Sequence, residues 1–206
     1  MSSSFWNERF KRAGYLYGTA PNDFVRAQAH RFPEGGAVLE LGAGEGRNAV
    51  FLAEQGFDVT ALDYAEEGLR KLEVLAAARG VSVETVRADV TRWTPARTWD
   101  GVVATFLHLG PEERPRLYRH VQRALRPGGV FVAEWFRPEQ ITDGYASGGP
   151  PAVELMITAD ELRAHFSAAG VRMLETVETT LDEGAHRGPA AVVRLVWQKP
   201  ARAASP

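Results

Sequence analysis

Val38-Leu39-Glu40-Leu41-Gly42-Ala43-Gly44-Glu45-Gly46-Arg47-Asn48 runs from an apolar stretch through an acid into three glycines at alternate positions. Helix-forming residues follow from Ala49 to Gln55, and Asp63 closes the next apolar run, Val59 to Leu62. Glycines permit a tight turn and leave no Cβ in the way of a ligand lying on the backbone. An acid about 20 residues beyond the first glycine is where a doubly wound sheet offers a carboxylate to ribose hydroxyls. The stretch therefore predicts a strand, a binding turn and a helix, with a ligand that carries a ribose.

Glycine spacing narrows the choice of ribose. Dinucleotide sites favour G-x-G-x-x-G, in which the third glycine lets helix and strand pack closely beside the pyrophosphate. Counting from Gly42 and Gly44, that third position is Arg47, and the third glycine is instead Gly46. Glu40 would put a carboxylate near the strand end, where a pyrophosphate is unwelcome and a cation is tolerated. The pattern suits a nucleoside bearing an ammonium and a sulfonium better than a dinucleotide. A glycine turn alone can be purely structural; the acids flanking this one favour a ligand.

Outward from this stretch the chain alternates. Residues 37–41, 57–62, 81–86, 101–106 and 130–136 are short and rich in β-branched or aromatic residues, as strands are. Between them Leu69, Leu72 and Ala76 share one helical face, as do Leu117, Val121 and Leu125. Such alternation predicts an α/β, doubly wound, mostly parallel sheet with helices on both faces. Thr158-Ala159-Asp160-Glu161 predicts a capped helix start. Two last strands follow near 171–180 and 190–198.

Two stretches break the rhythm. Residues 137–153 contain Gly144, Gly148, Gly149, Pro150 and Pro151, and residues 181–189 contain Glu183, His186 and Arg187. Both read as loops after strand ends, where open sheets build binding crevices. Simple surface connection is the alternative for each; length and Gly/Pro content make 137–153 the better lid. No repeat or linker divides the chain. Residues 1–200 are expected to form a single domain, with 1–32 as an N-terminal cap and 201–206 as a disordered tail.

The 206 residues suit one α/β domain and are few for two. A net charge of −2 gives no basic field for nucleic acid or an anionic membrane. No apolar run reaches the roughly 18 residues of a transmembrane helix. Met1-Ser2-Ser3-Ser4-Phe5-Trp6 lacks the basic and apolar regions of a secretion signal, so a cytoplasmic protein is the expectation. Cysteine is absent, which removes disulfides, a thiol nucleophile and a zinc–thiolate site. No metal is expected.

Taken together, the motifs resemble the class I S-adenosylmethionine-dependent methyltransferases over residues 37–198. The resemblance rests on Glu40-Leu41-Gly42-Ala43-Gly44-Glu45-Gly46, the acid-ended strand at Asp63, Arg87-Ala88-Asp89 and Leu125-Arg126-Pro127-Gly128-Gly129. Within that superfamily the chain looks most like the tellurite-resistance and thiopurine type of small-molecule methyltransferase. Its marks are Trp6-Asn7-Glu8-Arg9-Phe10, Tyr15-Leu16-Tyr17-Gly18, Gly46-Arg47-Asn48, Phe106-Leu107-His108-Leu109 and His186-Arg187. The resemblance implies a Rossmann-like seven-stranded sheet with the last strand antiparallel. It also implies S-adenosyl-L-methionine as cofactor, S-adenosyl-L-homocysteine as product, a small-molecule substrate, and a monomer or weak homodimer. Arsenite-type relatives hold their metalloid with cysteines, which this chain lacks.

Asp63 offers two acceptor oxygens, which match the vicinal hydroxyls of a ribose; a strand-end turn residue is the alternative. Asp89 resembles the family acid that faces the adenine amine; an exposed acid or helix cap is the alternative. The backbone at Gly42, Gly44 and Gly46 would approach the methionine portion, with Glu40 fixing the turn or orienting water there. Arg47 would pin the neighbouring carboxylates, face substrate, or sit solvated at the helix start. Tyr17, with Trp6, Arg9 and Tyr15, would fold over the cofactor and present aromatic faces to the sulfonium, unless the leader is only a packed staple. Phe106 joins the cofactor set at a strand end, followed by His108 as pocket wall or helix entry. His186 and Arg187 resemble the active-site pair of tellurite-resistance enzymes, in which Arg187 would recognise an oxyanion and His186 would orient substrate.

Methyl transfer from a sulfonium is an in-line displacement, so the protein must chiefly align the partners and exclude water. A soft or anionic nucleophile needs no general base. Clamping an anion tightly would also stabilise the ground state, so only modest positive charge is expected around an aromatic pocket. Three other readings compete: a nicotinamide-dependent oxidoreductase, a non-catalytic S-adenosylmethionine-binding module, and an RNA or protein methyltransferase.

Overall fold

The short apolar runs of the first half become neighbouring strands of one sheet in the computed structural model, which describes residues 3–201. A helix α1 (Ser3–Phe10) and a short α2 (Asp23–Gln28) precede the first strand, β1 (Ala37–Leu41). There follow α3 (Arg47–Glu54), β2 (Asp58–Asp63), α4 (Glu66–Ala78), β3 (Glu84–Arg87), β4 (Trp99–Thr105), α5 (Arg114–Ala124) and β5 (Leu125–Phe136). The chain continues through α6 (Glu139–Thr142), α7 (Ala159–His165), β6 (Val171–Glu183) and β7 (His186–Gln198). Strand order is β3-β2-β1-β4-β5-β7-β6. Strands β1 to β5 pair in parallel, whereas β7 runs antiparallel to both β5 and β6. The seven-stranded Rossmann-like sheet with an antiparallel last strand is therefore present.

Every residue of β1 is buried, as expected of a parallel strand covered on both faces. Leu39 and Leu41 pack with Leu62, Val102, Phe131 and Trp135 on one face. Val38 packs with Val59, Val103, Leu52 and Leu72 on the other. Glu40 shares the Val38 face by strand alternation, which brings it under the start of α3. The order reverses at β1, flanked by β2 and β4, so the crevice beyond their carboxyl ends is where this topology places a ligand.

Three expectations are corrected. The third strand starts at Glu84, because Val81 closes the end of α4 by donating its N–H to Ala76 O. Strand β5 already includes Leu125, which pairs with Trp99 across a bulge. The largest correction concerns 181–189, which is no loop. Strands β6 and β7 run through it, pairing Asp182 with Arg187 and Glu183 with His186, and only Gly184 and Ala185 turn the chain. The capped start expected at Thr158 is present, with Oγ1 accepting from Glu161 N at 3.1 Å. Residues 137–153 hold α6 and are tied to the sheet through Gln140. Its amide donates to Ser147 Oγ and Gly148 O and accepts from Ala191 N. The expected tail, 201–206, lies outside the described residues beyond Ala201.

Candidate functional site

A cavity of about 440 Å³ opens at the carboxyl ends of β1, β2 and β4, within the usual size range of ligand sites. Its floor is the glycine turn. Gly42, Gly44 and Gly46 all have positive φ, at 72°, 54° and 86°. Gly42 N and Ala43 N donate to Leu62 O, and Gly44 N donates to Asp63 Oδ2 at 2.8 Å. Asp63 Oδ1 takes Ala65 N, also at 2.8 Å. The same carboxylate thus locks the turn and lines the cavity, and each oxygen keeps a lone pair for a hydroxyl. Burial raises its pKa, against the pull of the backbone donors at Ala65 and Gly44.

Glu40 is 2% exposed and lines the same end. Asn48 Nδ2 donates to its Oε1 at 2.9 Å, while Oε2 is buried with no partner. Burial pushes its carboxyl up to about 7. A buried carboxylate oxygen left open on a cavity is complemented by a cation or a donor. Asp89 lines the far end while its Oδ1 accepts from Thr91 N and Oγ1, so one side chain both closes a turn, with no helix behind it, and walls the cavity.

The opposite wall is aromatic. The His186 ring lies 4.4 Å from that of Tyr17, 4.7 Å from Phe106 and 5.1 Å from Phe136. Phe106 is the one non-glycine among the described residues with positive φ, 50°, a costly conformation for a bulky side chain. Its N–H donates to Glu134 O at 2.8 Å, which helps hold the ring in the wall. Burial depresses His186 to about 3, helped by Arg47, His108 and Arg9, and depresses His108 to about 4. Both imidazoles are therefore neutral near pH 7. Arg47 is not solvated: its Nη2 donates to Glu183 Oε2 at 2.6 Å, and its Nη1 is buried without a partner.

Arg187 is not brought to this site. Successive strand residues point to opposite faces, so once 186 and 187 lie in a strand, burying His186 turns Arg187 outward. The Arg187 side chain is 76% exposed and paired with Asp182. The cations that do line the cavity are Arg9 and Arg47.

From the leader, Phe5, Trp6, Arg9, Phe10 and Tyr17 roof the cavity, and residues 148–151 close another side. Glu45, unassigned in the sequence reading, anchors that roof: Leu16 N donates to Oε2 at 2.6 Å and Lys71 Nζ to Oε1 at 2.7 Å. Also missed are Asn48, Tyr64, Asn22 and the partnership of Glu183 with Arg47. Glu183-Gly184-Ala185-His186 carried a usable signal, since two residues including glycine between alternating runs mark a hairpin. Among the described residues no group of His, Asp and Glu is arranged to hold a metal, and no helix is long and apolar enough to cross a membrane.

A family described as a methyltransferase domain matches residues 38–129, the glycine turn through the start of β5. Fold, cavity and this match, which spans less than half of the chain, make the protein similar to the class I S-adenosylmethionine-dependent methyltransferases. In particular it resembles the probable S-adenosyl-L-methionine-dependent methyltransferase TehB of Haemophilus influenzae, at 30% identity over 94 residues, 45% of this chain and 33% of the relative. This chain thus matches about a third of the TehB length. The solved structure of Haemophilus influenzae TehB superimposes with a TM-score of 0.72 at 19% identity, covering 96% of this chain and 66% of that one. A cypemycin N-terminal methyltransferase of Streptomyces is 29% identical over 82% of this chain and 73% of its own. A structure concerned with converting a disulfide bond into a thioacetal during echinomycin biosynthesis has a TM-score of 0.75 at 19% identity, over 98% and 94% of the two chains.

Proposed function

We propose that this protein binds S-adenosyl-L-methionine in the cavity and transfers its methyl group to a small-molecule nucleophile, soft or anionic, by in-line displacement. The observation that carries the reading is the division of one cavity: Glu40 and Asp63 beside a bare glycine turn, with Asp89 further along, against a wall of rings with neutral imidazoles. Asp63 would accept from the ribose hydroxyls and Asp89 from the adenine amine. The open oxygen of Glu40 would receive the ammonium, directly or through water. Tyr17, Phe106 and Trp6 offer aromatic faces to a cationic sulfur. When bound, S-adenosyl-L-methionine supplies a methyl group on positively charged sulfur and leaves as S-adenosyl-L-homocysteine.

For the acceptor, the leader and residues 148–151 exclude water, and His186 orients the nucleophile beside Phe106. Arg9 and Arg47 supply the modest positive charge expected of the site; Arg47 is already paired with Glu183, which avoids over-binding an anionic ground state. A nicotinamide dinucleotide is disfavoured by Glu40 and by Arg47 in place of the third glycine.

The test uses methyl-labelled S-adenosylmethionine with a panel of thiols, chalcogen oxyanions and thiopurine-like heterocycles. Label transfer to at least one, lost in His186→Ala, is expected. Tight binding of S-adenosylhomocysteine with transfer to none would leave only the non-catalytic binding module.

A further inference from the structure

The tip of the β6–β7 hairpin delivers His186 to the cavity, yet a two-residue turn at the sheet margin has little core of its own. Three contacts hold it. Ala185 N donates to Leu16 O at 2.8 Å. Gly184 (φ 61°) lies so close to the leader that an added Cβ would come within 2.5 Å of Leu16 O. The third contact is polar and buried: Glu183 receives Arg47 through Oε2 and Asn22 Nδ2 through Oε1, the latter at 3.0 Å.

Asn22 is 1% exposed and every polar function it has is used. The carboxamide Nδ2 donates to Glu183 and also to Glu134 Oε1 at 2.7 Å, while Arg194 holds the other oxygen of Glu134. Asn22 Oδ1 accepts from Val25 N, capping α2, and its own N–H donates to Asn48 Oδ1 at 2.8 Å. Asn48 in turn donates to Glu40. Two buried carboxylates therefore converge on one carboxamide, with an arginine on the far side of each. Both would lose a donor if Nδ2 were removed, and a buried anion short of a donor moves or takes up a proton.

We infer that Asn22 is the positioning residue of this site: its carboxamide holds Glu183, and through Glu183 it holds Arg47 and the hairpin tip that sets His186 against the cavity wall. Asn22 does not line the cavity, so it acts only through these neighbours. The importance of His186 and Arg47 rests on the methyltransferase reading above; the positioning itself does not.

Asn22→Ser and Asn22→Asp separate this role from helix capping, because Ser and Asp cap a helix about as well as Asn while removing the two carboxamide donors. The readout is the His186 imidazole signal in proton–carbon NMR of the full chain, assigned by its disappearance in His186→Gln. Packed against Tyr17, Phe106 and Phe136, that ring carries a ring-current displacement in the wild type. Both variants are expected to shift it toward the free-histidine position while the signals of His30 and His165 stay fixed. If Asn22→Asp fails to fold, Asn22→Ser decides alone. An unmoved His186 signal in a folded variant overturns the inference and leaves Asn22 a cap. Binding of S-adenosylhomocysteine by the wild type, measured alongside, tests the methyltransferase reading separately.

Discussion

Glu40 is the side chain whose ionisation reports most directly on a ligand. In the folded protein its carboxyl titrates at about 7 against an ordinary 4.5. Between those values the folded state keeps a proton that the unfolded chain releases. Its contribution to stability is therefore full below pH 4.5 and is lost as the pH rises to about 7. His108 and His186 slope the other way: the unfolded chain takes up protons below 6.5 that the folded one refuses until about 4 and about 3, so acid weakens the fold. Comparing wild type with Glu40→Gln in denaturant titrations isolates the acid. The difference should fall with rising pH across that window, at no more than about 1.4 kcal/mol per pH unit. An ammonium beside Glu40 should expel its proton. Near pH 6.5, calorimetry in buffers of different ionisation heat should show proton release on binding S-adenosylhomocysteine, and Glu40→Gln should abolish it. Asp63→Ala should weaken that binding by about 1–3 kcal/mol, a loss of roughly 5- to 150-fold, because the hydroxyls lose their acceptor.

Elements show what each glycine contributes. Gly46 and Gly56 have nearly the same φ, 86° and 87°, but a Cβ at Gly46 would lie 2.2 Å from Leu72 Cγ, whereas none of the neighbours of Gly56 comes within 4 Å. Backbone strain is common to both, so Gly56→Ala should cost about 1–2 kcal/mol. Gly46→Ala should cost about 1–3 kcal/mol more by forcing α3 away from α4, read as the difference in unfolding free energy. The glycine turn, the acid-ended second strand and the capped Thr158 helix were legible because each is fixed by neighbours in sequence. The β6–β7 hairpin carried only the short Gly184-Ala185 turn signal, and Glu183 and His186 read as loop polarity until strand pairing shows them to be cross-strand partners. Arg187 was misplaced for the same reason. Adjacent residues look equivalent in a loop and face opposite ways in a strand.

At the scale of the whole molecule, the reversal of strand order at β1 decides where chemistry can occur, and the leader decides how enclosed it is. Alternating apolar runs predicted the sheet, and the glycine motif located the crevice. What stayed hidden was long-range: Leu16 bonded to both Glu45 and Ala185, and Asn22 bonded to Glu134 and Glu183, 112 and 161 residues away. No periodicity in the sequence records such pairs.

The most direct measurement is isothermal titration of the folded protein with S-adenosylhomocysteine, set beside NAD and NADP. Saturable uptake of one S-adenosylhomocysteine per chain, with neither dinucleotide competing, is predicted. A folded protein that takes up no S-adenosylhomocysteine, or that binds a dinucleotide in its place, would contradict the account.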